Sequence, residues 1–504
     1  PGAGDRRWNA SGNRGEPGSA NSLPGHCRID GFSATRLQQE PTMPGPTALS
    51  LVEAATAVRS GETTAVALLE ACLARIEATE LVVSAFASVQ ADEAFATAAK
   101  LDRRDPIGPL HGVPIALKDL FFTKGIATEA NCDALSGFVP DCDASVVARL
   151  RAAGAVIVGK TNTHELAYGV SCPASHNPWN PERMTGGSSG GSAAALAAGQ
   201  VFGALGTDTG GSIRIPSNYC GTTGIKTTRG VVPRDGLHLI SWTYDTVGPM
   251  ARTAADCLAL LEVIAGQSKL DPWSSRMTLA SASAPSELVL GVPDESFFEG
   301  FDTDAEVRAV MEEAIDELGS IVSEVRTVKV PNNAEHFASG ASIVFAESAA
   351  LLEELRATSN DRIGEEARAI LADGAAIPGT ALAAAQAQRV VFERAYHDVF
   401  EHQGVQLFIA PVNPNQVLPH GTSDISGVPL IPSTTQFTFP VNGAGLPAIS
   451  LPGGFAKDGL PIGFQLVGQP FDERTLAAVG EAFQSKTEHH HKFPDLSSTA
   501  TAAE

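Results

Sequence analysis

A chain of 504 residues, 43% hydrophobic and 18% charged, can bury a large core, which excludes wholesale disorder. Its formal charge of −22 offers no basic surface to displace counterions from nucleic acid or an anionic membrane, so neither is expected as a partner. No apolar run reaches the roughly 18 residues of a spanning helix, and seven scattered cysteines without a C-x-x-C pair point to a reducing, cytoplasmic setting with neither a disulfide framework nor a zinc knuckle.

Residues 1–42 are rich in Gly, Pro, Ser and Arg and precede the first methionine, Met43; they read as a disordered leader or expression artefact. One folded unit is expected from 43 to 495, with a low-complexity, disordered tail over 496–504. Ser50 is placed to cap a first helix, and Thr63 or Thr64 a second, whose Val66, Leu69, Leu73 and Ile76 share one face. A third helix is predicted over 91–104, ended by the Pro106-Ile107-Gly108-Pro109 breaker. Beyond it, apolar runs alternate with helical patterns: Val113–Leu117, a helix over Ala144–Ala153, then Ala155–Val158. That alternation predicts a mixed α/β fold, a central sheet covered by helices on both faces. Residues 176–192 read as a Pro- and Gly-rich loop, Ser192–Gln200 as helix and Phe202–Gly206 as extended. The stretch 285–400, with a strand at Leu288–Val292 and long Ala- and Glu-rich helices, looks like an elaboration on the sheet. Strands return at Leu407–Ala410, Ala448–Leu451 and Ile462–Val467, followed by a helix over Glu473–Phe483.

Chemistry concentrates in two serine-bearing glycine turns, Gly186-Gly187-Ser188-Ser189-Gly190-Gly191-Ser192 and Asp208-Thr209-Gly210-Gly211-Ser212-Ile213-Arg214. Glycine lets backbone N–H groups approach a ligand closely, so the two turns are suited to converge on one reacting carbon. A phosphate-binding loop would carry Lys then Ser or Thr after its last glycine, whereas Ser192 and Ala193 follow Gly191. The G-x-S-x-G elbow also matches, but it demands a preceding strand, and the His176–Pro181 stretch reads as a loop.

Serine needs a base to become a nucleophile at neutral pH. His111, His164, His176 and His238 stand in no evident Ser-His-Asp pattern. Buried lysine is an alternative, because burial favours its neutral form. Lys118 ends the Val113–Leu117 run, at the sheet edge where ligands of open α/β folds collect. Lys160 follows a similar run, and local pattern alone does not choose between them.

Taken together, Gly112–Asp119, Gly159-Lys160-Thr161-Asn162, both serine turns, Gly224-Ile225-Lys226, Asp245–Met250 and Gly445-Leu446-Pro447-Ala448 resemble the amidase signature family over about residues 47–485. The resemblance implies an amidase signature fold and hydrolysis of carbon–nitrogen amide bonds, extending to esters and carbamates, through an acyl-enzyme. It implies Ser212 as nucleophile, Ser188 as a bridging serine on a cis peptide, Lys118 as general base, and Lys160 as structural. It also implies an oxyanion hole of Thr209, Gly210 and Gly211 N–H groups. No metal or organic cofactor is called for, and His489-His490-His491 reads as solvated.

The expected partner is a small-molecule amide, with no nucleic acid and no membrane, and a homodimer is compatible. The alternative is the amidase subunit of a glutamine-dependent tRNA amidotransferase. That subgroup resembles the chain less at Ile215 and at Thr246-Val247, where it tends to carry Gln. Phe121, Phe122, Ile213, Ile215, Trp242 and Tyr244 are candidates for an apolar substrate pocket or for core.

Overall fold

The computed structural model describes residues 45–300, 302–331 and 334–496, of 334 and 335 the backbone only. The expected leader lies outside the described residues, as does the expected tail apart from Leu496, which is buried in an apolar cluster rather than disordered. Both early helices start where their caps predict. Ser50 accepts from the Glu53 N–H while Glu53 accepts from that of Ser50, and this reciprocal box opens Leu51–Ser60. Thr64 caps Ala65–Val83, and a third helix covers Ala91–Leu101.

One mixed sheet of eleven strands organises the molecule. Numbered in chain order within it, they are β1 (Phe86–Val89), β2 (Pro114–Lys118), β3 (Val156–Thr161), β4 (Gly203–Asp208), β5 (Thr223–Lys226), β6 (Thr246–Ala251), β7 (Val289–Pro293), β8 (Glu324–Val328), β9 (Leu407–Pro411), β10 (Ala448–Phe455) and β11 (Pro461–Gly468). Their spatial order is β1-β3-β2-β4-β6-β5-β10-β11-β9-β7-β8. β2 runs parallel to both β3 and β4, with Ile115 opposite Gly203 and Leu117 opposite Leu205. β6 runs antiparallel to β4. Because β2 and β4 are parallel, their C-terminal ends reach one edge of the sheet together and bring Lys118 beside Thr207 and Asp208.

Helices cover both faces. On one, Leu51, Leu68, Val147, Leu260 and Leu476 pack with Ile115, Leu205 and Ile449. On the other, the small side chains of Ala193–Ala198 allow the helix Gly190–Ala197 to lie close against Ala116, Ala204 and Met250. The middle of the chain adds helices Ala334–Leu351, Glu365–Ala376 and Gly379–Gln403. Their apolar faces join Tyr168, Ile240, Tyr244 and Phe439 in a separate cluster.

The stretch 176–192 differs from the loop expected of it. His176–Asn177 pairs with Asn180–Met184 in a short antiparallel ladder, and the following helix already begins at Gly190. Strands β1, β5, β6 and β8 do not stand out as apolar runs because Ser, Thr, Gly, Pro or charged residues interrupt them. Among the described residues, no helix is long and apolar enough to cross a membrane.

Candidate functional site

Lys118 is the last residue of β2 and is fully buried. Its Nζ donates to Ser188 Oγ at 2.8 Å and to Thr207 Oγ1 at 2.9 Å. Among the described residues no carboxylate lies within ion-pair distance of it. Burial pushes its amine down to about 7, opposed by the more distant Cys172, Asp245 and Asp208. A neutral amine at neutral pH can accept a proton, which an ordinary lysine cannot.

Lys160 contrasts with it although it too is fully buried. It pairs with Asp119 at 3.2 Å and donates to Phe121 O and Thr128 Oγ1, each at 2.7 Å. A counter-charge and two acceptors make it a brace between loops.

The two serine turns meet as the sequence suggests. The Gly187–Ser188 peptide is cis, and Ser189 ties the loops together by donating its N–H to Ser212 O at 3.2 Å and its hydroxyl to Thr207 O at 3.2 Å. Close approach explains the glycines: a Cβ on Gly187 would come within 1.9 Å of Ser171 O, and one on Gly191 within 2.4 Å of Ala85 O. Ser212 lines a cavity of about 770 Å³ together with Thr209 and Gly210. Among the described residues its hydroxyl has no hydrogen-bond partner.

Asp208 shapes the second turn. Its carboxylate accepts from the N–H groups of Gly211 at 2.8 Å and Ile213 at 3.1 Å, and from Arg214 Nε at 3.1 Å and Nη2 at 2.9 Å. Both side chains are fully buried, so this is no surface pair. Arg214 also reaches Gln465, Thr438 O and Asn442. Burial by itself would raise the Asp208 carboxyl, but Arg214, Lys226 and Asn442 hold it well below the usual carboxylate range. The Gly211 N–H, expected in the oxyanion hole, is directed at Asp208 instead. Among the described residues, the Thr209 and Gly210 N–H groups donate to no protein acceptor. Thr209 is fixed through its hydroxyl, which donates to Asp245 Oδ1 at 2.6 Å.

None of Phe121, Phe122, Ile213, Ile215, Trp242 and Tyr244 lines the cavity. Its walls are instead apolar side chains such as Tyr168 and Val170 from the core, Phe337, Val344 and Ile370 from the middle helices, and Ile431 from the short helix Leu430–Thr434. Sequence reading also missed Thr207, Asp245 and His164. Far from standing alone, His164 contacts both Ser171 and Glu366 at 3.3 Å. Thr207, the residue before the Asp208 turn, and Asp245, which opens the Asp245–Met250 motif, had a local signal.

The sequence pattern of the amidase family matches residues 67–477. The chain belongs to the amidase family. It is accordingly an enzyme, an amidase acting on carbon–nitrogen bonds other than peptide bonds. One of the subunits of glutamyl-tRNA(Gln) amidotransferase, from Chloroflexus aurantiacus, is 40% identical over 484 residues, covering 89% of this chain and 98% of that protein. The solved structure of the same glutamyl-tRNA(Gln) amidotransferase component from Thermotoga maritima is 30% identical, with a TM-score of 0.73 over 89% of this chain and 98% of the other. The 6-aminohexanoate cyclic dimer hydrolase, solved with substrate, is 28% identical with a TM-score of 0.82, covering 89% and 99%.

These relatives overturn the expectation of a small-molecule amide substrate with no nucleic acid involved. Proteins alike over nearly their whole length carry the name of one component of an enzyme of tRNA. A formal charge of −22 describes only this chain's own surface.

Proposed function

We propose that the chain cleaves a carboxamide through an acyl-enzyme on Ser212, and that it works as the amidase subunit of a glutamine-dependent amidotransferase, passing the released ammonia to a partner. The observation that carries the chemistry is Lys118, fully buried, with its amine lowered to about 7 and Ser188 Oγ 2.8 Å away. Lys118 takes the proton of Ser188 as Ser188 takes that of Ser212, and Ser212 Oγ attacks the carbonyl carbon. The Thr209 and Gly210 N–H groups receive the oxyanion while the Gly211 N–H keeps the turn closed on Asp208. As the carbon–nitrogen bond breaks, the relay runs backward and returns the proton to the leaving nitrogen. Water then attacks the acyl-enzyme by the same route and frees the acid. Ester and carbamate leaving groups fall within this chemistry, since they need the same attack and the same oxyanion donors.

The reading as an amidotransferase component is supported by the length and identity of the amidotransferase relatives. One sheet holding every described strand except two short ladders supports treating 43–495 as a single catalytic unit. The six described cysteines are all free, which supports a reducing, cytoplasmic setting. A second reading, an amidase that releases the cleaved nitrogen to solvent rather than to a partner, is favoured by the cavity: its lining is largely apolar and, among the described residues, includes neither Lys nor Arg to pair with the α-carboxylate of glutamine. Ammonia release from glutamine, with and without the co-expressed partner subunits, separates the two. Release that rises with the partners supports the amidotransferase reading. Turnover of an arylamide by the chain alone, with none of glutamine in either state, overturns it in favour of the second.

A further inference from the structure

His164 follows β3 on a loop that reaches under the first serine turn. Its backbone N–H donates to Ser188 O at 3.3 Å. Its ring Nδ1 lies 3.3 Å from both the carbonyl and the hydroxyl oxygen of Ser171, and Nε2 lies 3.3 Å from Glu366 Oε2. The neighbouring Glu165 accepts from the Gly364 N–H at 2.8 Å, at the cap of the helix Glu365–Ala376. This pair of residues therefore grips the start of an inserted helix that forms part of the cavity wall. The ring also presses on Gly169, where a Cβ would come within 2.2 Å of Nδ1 and Cε1. Beyond the ring, Ser171 O packs against Gly187, the residue before Ser188.

We propose that His164 is a positioning residue for Ser188: it holds the Gly187–Ser188 turn through Ser171 and is anchored to the inserted helix by Glu366. The inference rests on reading Ser188 as the proton relay. A second Ser-His-Glu nucleophile at Ser171 fits less well, because the carbonyl of Ser171 competes with its hydroxyl for the same ring nitrogen. Contact between the inserted helix and the core loop thus sets the orientation of the hydroxyl that Lys118 must reach.

The test needs no knowledge of the natural substrate. The second-order rate at which an alkyl fluorophosphonate labels Ser212 reports how well that serine is activated. It is measured against pH, beside thermal melts, for His164→Ala, His164→Asn, Gly169→Ala and Glu366→Ala, with Ser188→Ala and Ser212→Ala as controls. His164→Ala and Gly169→Ala should label at least about 10-fold more slowly, the scale of loss a small misplacement produces. Asn keeps a polar group near the Nδ1 position, so His164→Asn should recover most of the rate. In the slow variants the pH limb should move to lower pH, since a Ser188 turned away no longer accepts from the Lys118 ammonium. A merely structural role would lower the melt and leave that limb in place. Glu366 is exposed, so its Ala variant keeps the fold and should label a few-fold more slowly even if His164→Ala does not fold. Wild-type rates and limb in Gly169→Ala and Glu366→Ala, with Ser188→Ala still slow, overturn the inference and leave the relay standing. Full labelling of Ser188→Ala overturns the relay itself.

Discussion

Replacing Lys118 by Met separates what the buried amine does for catalysis from what it does to the fold. With its amine at about 7, Lys118 is about half neutral at neutral pH, whereas a lysine of ordinary basicity would be neutral in only about one molecule in three thousand. Activity should therefore rise with pH along a one-proton limb centred near 7, and the Met variant should lose both the limb and nearly all turnover. The same burial works against stability. The unfolded chain keeps the Lys118 proton up to the ordinary lysine range while the folded chain releases it near 7, so over that interval the unfolded state binds more protons and stability rises with pH. At pH 7 and below, burying this amine costs on the order of 5 kcal/mol. Met fills similar space without that penalty but forfeits the bonds to Ser188 and Thr207, about 1 kcal/mol each. The inactive variant should thus be more stable than the wild type by about 2–3 kcal/mol at neutral pH, an advantage that shrinks as pH rises. Urea unfolding of both proteins across the range, beside initial rates of amide cleavage, checks this. A Met variant that is active, or an inactive one less stable at neutral pH, would refute a neutral buried base.

Ser212→Ala should fold normally and lose turnover by about 10³-fold or more, because no acyl-enzyme forms; more than about a tenth of the wild-type rate would sink the assignment. Lys160→Ala should act through the fold, leaving Asp119 buried without its partner at a loss of about 3–5 kcal/mol, with kcat retained by whatever fraction melts normally. Gly191→Ala should fail to accumulate as folded protein, since its Cβ would lie 2.4 Å from Ala85 O and 2.6 Å from Asn162 N and O; a soluble variant with a wild-type melting curve would show that the backbone there gives way. Val344→Trp narrows the cavity from the helix Ala334–Leu351 and should raise KM for bulky amides more than for small ones, with the pH limb unchanged.

Much of the architecture and its chemistry was legible in the chain because it is written locally. Ser50 and Thr64 announce helix starts by capping backbone N–H groups within three residues of themselves. Lys118 betrays its place by ending a buried apolar run, and the glycines beside Ser188 and Ser212 by the close approaches they permit. What separates Lys118 from Lys160 is not local. Both lie at the C-terminal ends of buried strands of one sheet, Lys118 last and Lys160 last but one, and only packing decides that Lys160 meets the Asp119 carboxylate while Lys118 meets two hydroxyls; that difference makes one a brace and leaves the other a neutral amine. Tertiary structure likewise closes the Arg214 network with Asn442 and Gln465, and sets His164 between Ser171 and Glu366. The cavity wall comes from helices far along the chain, whose apolar faces show that they pack but not on what. Periodicity carries the sense of a face; which distant group lies opposite it, and so what a buried charge or an orphan N–H can do, is settled only when the chain closes on itself.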